Sequence, residues 1–299
     1  MIQTVSVIGA GTMGNGIAHV FAQHGFTVNL IDVSQAQLDK AVDTITKNLE
    51  RQVSKATITE AVKQAALTNL RTITSIAEGV KEAQLIIEAA TENTNIKLDI
   101  FKQIDAAAPA AAILATNTSS ISITKIAAVT KRPESVIGMH FMNPVPLMKL
   151  VEIINGYATS PAVTDTIVAL TNQLGKTPCV VNDYPGFIAN RILMPMINEA
   201  IYSLYEGVAG VEAIDRVMKL GMAHPMGPLQ LADFIGLDVC LSILKVLQDG
   251  FGNPKYAPCP LLVNMVTAGK LGLKSGEGFY VYTAGNKDLV VSERFANMQ

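Results

Sequence analysis

Residues 4–25 read TVSVIGAGTMGNGIAHVFAQHG. A short β-rich run, TVSVI, is followed at once by three glycines spaced GxGxxG and then by a helical pattern closed by Gly25. Few spacings constrain a chain so tightly. Gly9 permits the tight turn out of the strand, and Gly11 lets a pyrophosphate approach the backbone. Gly14 lets the helix pack against the strand, and the helix N-terminus, with Thr12 and Met13 in its first turn, faces the anion. The next β-rich run, TVNLID (27–32), ends in Asp32, 23 residues beyond Gly9. An acid there accepts hydrogen bonds from adenosine ribose hydroxyls and repels a 2′-phosphate. Val33 and Ser34 follow with no arginine to neutralise such a phosphate, so the expected cofactor is NAD rather than NADP. A glycine-rich turn without a ligand is the alternative, and the strand, helix and acid together disfavour it.

Beyond Asp32 the pattern repeats. A long helical segment carries Leu38, Val42, Ile45, Leu49 and Val53 at spacings of three and four. Then come LIIEA (85–89), a helix near 93–106, AILAT (112–116), VIGMHF (136–141), LVEII (150–154), a helix near 161–174 and PCVVN (178–182). Short apolar strands alternating with helices predict an α/β, Rossmann-type domain with a largely parallel sheet. After Asp183 the strands cease. PGFIANRILMPMINEAIYSLYEG (185–207) reads as a long helix with proline in its first turn, and helices continue to about residue 270. The expected organisation is therefore 1–184, a dinucleotide-binding domain, and 185–299, an all-α domain.

With 49% hydrophobic and 16% charged residues, the 299-residue chain can bury a substantial core. A net charge of −2 leaves no electrostatic footprint for nucleic acid or an anionic membrane, so neither is expected as a partner. Cys179, Cys240 and Cys259 are widely separated and in no CxxC pattern. That argues against a zinc site and a disulfide framework, and suits a reducing cytosol. No apolar run approaches the length of a membrane span, and the first strand begins at Thr4 with no room for a signal peptide. A cytoplasmic protein without a metal is expected.

Only four histidines occur, and one of them, His140, ends a predicted strand within GMHFMNPVPLMKLVE (138–152). Open α/β sheets place their ligands at strand C-termini. Glu152 lies in the next strand, beyond a loop holding Pro144 and Pro146. Antiparallel strands around that loop would bring the two side chains together. A carboxylate in an apolar strand is costly unless paired, and histidine is its natural partner. By itself such a pair suits a structural role as well as a catalytic one; beside a dinucleotide fingerprint it suits the base of a dehydrogenase. NTSS (117–120) adds polar groups at another strand end, where Ser119 could bind a substrate oxygen. Asn190, mid-helix among apolar neighbours, either faces a ligand or fills a polar gap. Lys47, Arg51 and Lys55 recur every four residues as a basic stripe, which a solvated helix face explains better than a phosphorylated substrate does. His19, His24 and His224 have no evident role.

The chain closely resembles the short-chain L-3-hydroxyacyl-CoA dehydrogenases, especially the bacterial 3-hydroxybutyryl-CoA dehydrogenases. The resemblance runs through VIGAGTMGNGIA, NTSS, GMHFMNPVPLMKLVE, DYPGFIANR followed by Pro195, HPMGPLQLADFIGLD and KSGEGFYVY, nearly the whole chain. It implies His140 as catalytic base with Glu152 as its orienting partner, and Ser119 and Asn190 at the substrate's reacting end. It implies Glu92, Lys97, Asn143 and Lys274 around the nicotinamide, and Lys55 at the phosphates of coenzyme A. An acyl-CoA substrate and a homodimer formed through the helical domain follow from the same likeness. A dehydrogenase of a free hydroxy acid, such as a gulonate-type relative, and a non-catalytic dinucleotide-binding protein are the alternatives. Asn48 stands where some relatives carry serine, and about seventeen residues follow the usual ending GFYVY without an assigned role.

Overall fold

The computed structural model describes residues 2–283, 285 and 288–296. The chain divides into two compact units, Met1–Tyr184 and Pro185–Gln299.

The first unit runs β1 (Thr4–Ile8), α1 (Thr12–Gln23), β2 (Thr27–Ile31), α2 (Gln35–Ser54), α3 (Glu60–Thr68), β3 (Leu70–Ile73) and α4 (Ile76–Val80). It continues with β4 (Leu85–Glu88), α5 (Thr94–Ala107), β5 (Ile113–Thr116), α6 (Ile123–Ala127), β6 (Val136–Phe141), β7 (Leu150–Asn155), α7 (Pro161–Gln173) and β8 (Thr177–Asn182). The strands form one eight-stranded sheet in the order β3-β2-β1-β4-β5-β6-β7-β8. Every neighbouring pair is parallel except β6 and β7. Strands β4, β5 and β6 are buried at every position, as a parallel sheet covered on both faces requires. The sequence runs that lacked polar alternation are these inner strands.

Helix α2 buries Leu38, Ala41, Ile45 and Leu49 and turns its polar residues the other way, with the Ser34 side chain accepting from the Gln37 amide at its start. The sequence reading missed α3, β3 and α4. These are short, and β3 (LRTI) exposes both central residues, so hydrophobic periodicity carries little signal there.

The second unit consists of α8 (Ala189–Tyr205), α9 (Val211–Gly221), α10 (Pro228–Ile235), α11 (Leu237–Phe251) and α12 (Pro260–Thr267), followed by β9 (Tyr280–Val281) and β10 (Val290–Val291). Helix α8 starts four residues later than the sequence suggested. Gly186 and Phe187 have φ of 75° and 49°, in the left-handed region that a right-handed helix excludes, so the helix follows them. Among the described residues after the GFYVY ending, Val291 and Phe295 pack on this unit's core. β10 pairs antiparallel with β9, the Ser292 hydroxyl donates to Glu277 Oε1 at 2.8 Å, and the buried Phe295 ring lies 5.8 Å from that of Phe279.

Two buried carboxylates fasten the helices to that ending. Asp215 accepts from the Leu229 and Gln230 amides at the start of α10 and from the Tyr280 hydroxyl. Asp233 accepts from the Phe279 and Tyr280 amides and the Tyr282 hydroxyl. Burial outweighs these donors and pushes Asp233 up to about 6 from an ordinary 3.8. Between those two pH values the folded unit holds a proton that the unfolded chain has released. The stabilisation is therefore complete below 3.8 and is lost as pH rises through 6. Urea titrations of the wild type and Asp233→Asn at pH 4.5 and 7.5 should show the wild type's relative stability rising by about 2 kcal/mol at the lower pH. A difference between the two proteins that does not change with pH contradicts this assignment.

Candidate active site

Strand order reverses around β1, whose neighbours are β2 and β4, and ligands of open α/β sheets bind at such a switch point. The glycine loop leaves β1 there. Two of its glycines are explained by protein atoms alone. A Cβ at Gly14 would lie 1.7 Å from the Gly9 carbonyl oxygen, and Gly9, with φ of 99°, would bring one within 2.6 Å of Ala90 Cα. Gly11 is different, because a Cβ there meets no atom within 4 Å. Its backbone borders open clefts, and the N-terminus of α1 beside it receives no side-chain cap, leaving amides for an anion. Asp32 is tied to the same loop, accepting from the Ala10 amide at 2.8 Å and the Ser34 amide at 3.0 Å. Each oxygen keeps a further lone-pair direction for a ribose hydroxyl. These residues fit a dinucleotide.

A cleft of about 330 Å³ joins Gly11, Thr12 and Met13 to Glu92, Lys97, Asn117 and Ser119. Beside Ser119 stands His140. The antiparallel ladder of β6 and β7 sets His140 directly opposite Glu152, and Nδ1 lies 2.7 Å from Oε2. A carboxylate can only accept, so Nδ1 carries the proton and Nε2 presents its lone pair. Nε2 lies 3.1 Å from the Ser119 hydroxyl. Both members of the pair are buried.

Glu92 holds the Ser119 loop, accepting from the Ser119 amide at 2.6 Å and the Thr118 hydroxyl at 2.7 Å. Lys97 is buried and ion-paired with Glu88, which also accepts from the Thr116 hydroxyl at 3.0 Å and the Ala90 amide at 2.8 Å. Asn117 Oδ1 accepts from the Phe141 amide at 2.9 Å, locking the loop to the residue after His140. Sequence reasoning missed Glu88 and, within NTSS, gave Asn117 and Thr118 no individual role. Glu88 did carry a signal, being an acid at the buried C-terminal end of the apolar strand LIIE.

A second cleft, of about 390 Å³, opens on the other side of the glycine loop. Asn143, Pro144, Val145 and Pro146 line one wall, and Lys40, Thr44 and Asn48 of α2 line the other. Asn143 lines this cleft together with Gly11 and Thr12 of the glycine loop. Lys55 caps the C-terminal end of α2, and at 100° per residue it lies on the same helical face as Lys40, Thr44, Lys47 and Arg51. In the first unit the structure therefore brings together the glycine loop, Asp32, Glu92, Lys97, Ser119, His140 and Glu152, with Asn143 and the α2 face alongside. Asn190 and Lys274 belong to the second unit. Asn190 is buried in the first turn of α8, and Lys274 is ion-paired with Asp238 at 2.5 Å.

Residues 4–184 match the NAD binding domain of 3-hydroxyacyl-CoA dehydrogenase, and residues 186–282 match its C-terminal domain. This chain belongs to the 3-hydroxyacyl-CoA dehydrogenase family. It is 55% identical over 282 residues to a 3-hydroxybutyryl-CoA dehydrogenase of Bradyrhizobium diazoefficiens, covering 94% of this chain and 96% of that protein. A probable 3-hydroxybutyryl-CoA dehydrogenase of Bacillus subtilis is 53% identical, covering 94% and 98%. The crystal structure of (S)-3-hydroxybutyryl-CoA dehydrogenase from Ralstonia eutropha superimposes with a TM-score of 0.93 at 51% identity, covering 95% of this chain and all of that one. The first unit is the NAD-binding domain of an oxidoreductase.

The Asp32 carboxylate gives a direct check on cofactor choice. Hydrogen bonds to charged groups contribute about 1.5–3 kcal/mol, so Asp32→Ala should raise the KM for NADH by roughly 10- to 100-fold. It should also narrow the discrimination against NADPH, both measured by initial rates. A wild type that prefers NADPH contradicts the reading of Asp32.

Proposed function

We propose that the chain catalyses the reversible oxidation of a short-chain (3S)-3-hydroxyacyl-CoA, such as 3-hydroxybutyryl-CoA, to the 3-oxoacyl-CoA. The observation that carries this is the relay Glu152–His140–Ser119, whose Ser119 lines the cleft beside the glycine loop. NAD, when bound, supplies the hydride acceptor for the substrate's C3 hydrogen. His140 Nε2 takes the hydroxyl proton, and Glu152 stabilises the imidazolium through Nδ1–H. Ser119 holds the oxygen in line with Nε2, and Glu92 fixes Ser119 through its amide. In the reverse direction the protonated ring donates to the ketone oxygen.

Asn190 and Lys274 take their roles from the family match, Asn190 at the reacting end of the substrate and Lys274 near the cofactor. The cleft against α2, with Lys40, Thr44 and Asn48 leading to Lys55, takes the coenzyme A portion. The exposed basic stripe of α2 supports this, since a carrier ending in phosphates needs cations at the mouth rather than at the reacting carbon. General acid–base assistance is worth roughly 10²–10⁴-fold, so His140→Gln should lower kcat by that order while NADH binding, followed by its fluorescence, persists. Turnover near the wild-type rate removes His140 as the base. Acetoacetyl-CoA should be reduced and free acetoacetate and sugar acids should not; the opposite order favours a free-acid dehydrogenase, and no turnover on either favours a dinucleotide-binding protein.

The second unit serves dimerisation in this proposal. Val208, Val217, Leu220 and Met222, on α9 and the loops at its two ends, are all at least 60% exposed, an apolar group that a second copy would cover. Among the described residues no helix is long and apolar enough to cross a membrane, and the three cysteines are free, which supports a cytoplasmic setting. Light scattering should give twice the chain mass for the wild type and the monomer mass for the double variant Val217→Asp, Leu220→Asp. A wild-type monomer at micromolar concentration refutes the dimer.

A further inference from the structure

The turn between β6 and β7 joins the strand of His140 to the strand of Glu152, and it is held from two sides. On one side α1 approaches so closely that a Cβ at Gly16 would lie 2.9 Å from Val145 Cβ. On the other, Lys176, in the turn between α7 and β8, reaches beneath it. Lys176 Nζ donates to the Val145 carbonyl at 2.6 Å and to the Met148 carbonyl at 2.7 Å. The Leu147 and Met148 amides both fold back onto the Pro144 carbonyl at 3.0 Å, so residues 144–148 make a single helical turn. Carbonyls left over at the C-terminal side of such a turn favour a cation. Lys176 is only 8% exposed, and burial pushes its ammonium below the usual lysine range. A buried cation is costly to keep and needs partners that repay it. Here the partners are two backbone carbonyls of one loop.

The opposite face of that loop is functional. Asn143, Pro144, Val145 and Pro146 form the wall that faces Lys40, Thr44 and Asn48 across the second cleft. His140 and Glu152, by contrast, are held in register by the β6–β7 ladder itself and do not depend on the loop for their pairing.

We propose that Lys176 is a positioning residue that fixes the 143–148 turn as the cleft wall facing α2, so that affinity for the coenzyme A portion of the substrate depends on it while proton transfer at His140 does not. This rests on the proposed acyl-CoA substrate. Lys176→Met replaces the ammonium with an apolar chain of similar length. Its KM for acetoacetyl-CoA should rise about tenfold or more, while kcat and the dissociation constant of NADH stay within about threefold of wild type. Lys176→Gln, which keeps two uncharged donors, should fall between the two. A purely structural lysine would lower the active fraction and hence kcat at unchanged KM, and that result overturns the proposal. If Lys176→Met does not melt cooperatively, Lys176→Gln decides by the same split between KM and kcat. A wild type that reduces free acetoacetate but not acetoacetyl-CoA removes the substrate reading and this inference with it. Turnover of acetoacetyl-CoA with identical KM in wild type and variants removes this inference alone.

Discussion

Glu152 lies across from His140 because β7 reverses against β6, the only antiparallel pairing in the eight-stranded sheet. Directly opposed residues of such a pair have Cβ atoms about 4.5–5.5 Å apart, so a carboxylate and an imidazole meet without either chain leaving its strand. A parallel β7 would place its register partners differently and would need a crossover where the chain has an eight-residue turn. The hydrogen bond at Nδ1 then fixes the tautomer, and the tautomer decides which nitrogen can take a proton. The orientation of the imidazole is thus a consequence of sheet topology.

Around this pair the C-terminal ends of β4 and β5 carry the buried Glu88 and Thr116, with the buried Lys97 and the exposed Glu92 beside them, and both carboxylates are tied to the backbone of a neighbouring loop. Glu88 binds Lys97, Thr116 and the Ala90 amide, while Glu92 binds Thr118 and the Ser119 amide. Buried ion pairs contribute little net stability, because desolvation offsets their attraction, although breaking one is costly. Their effect here is geometric. A fully satisfied network has one low-energy arrangement, and that arrangement holds the Ser119 hydroxyl at Nε2 and keeps the loop after β4 clear of the space above Gly11.

What the sequence revealed of all this followed the range of the interactions. The glycine loop was legible because its turn, cradle and helix start are local and their spacing is set by backbone sterics. His140 and Glu152 were legible because two apolar runs flank a proline-containing loop too short for a crossover. Asp32 stood out by its distance from Gly9. Glu92 and Lys274 were reached only through the family resemblance, since their partners lie far along the chain and leave no periodic trace. Lys176, 31 and 28 residues from the carbonyls it binds, escaped notice for the same reason. Asn190 stood out as a polar residue among apolar helical neighbours, and only its role came from the resemblance. The late start of α8 was hidden by a proline that suits a first helical turn, while the left-handed backbone at Gly186 and Phe187 decided otherwise.

Recognition and chemistry are separated in the first unit. The proposed reacting groups lie at β5, β6 and β7, whereas the face of α2 that lines the larger cleft presents Lys40, Thr44 and Asn48. Binding energy gained on a remote, unreactive portion of a substrate can be used to orient the reacting carbon, and it is lost when that portion is cut away. An imidazole and a serine hydroxyl recognise any secondary alcohol of the right hand; they cannot tell a thioester of a long carrier from a free acid. In the function proposed above, the wall formed by the 143–148 turn and α2 makes that distinction. Because that turn rests on α1 at Gly16 and on Lys176, while the His140–Glu152 pairing is set by the strand ladder, the proposed selection of a carrier leaves that pairing undisturbed. A substitution on either side of the α2 cleft should therefore change which substrates reach His140 before it changes how fast His140 acts.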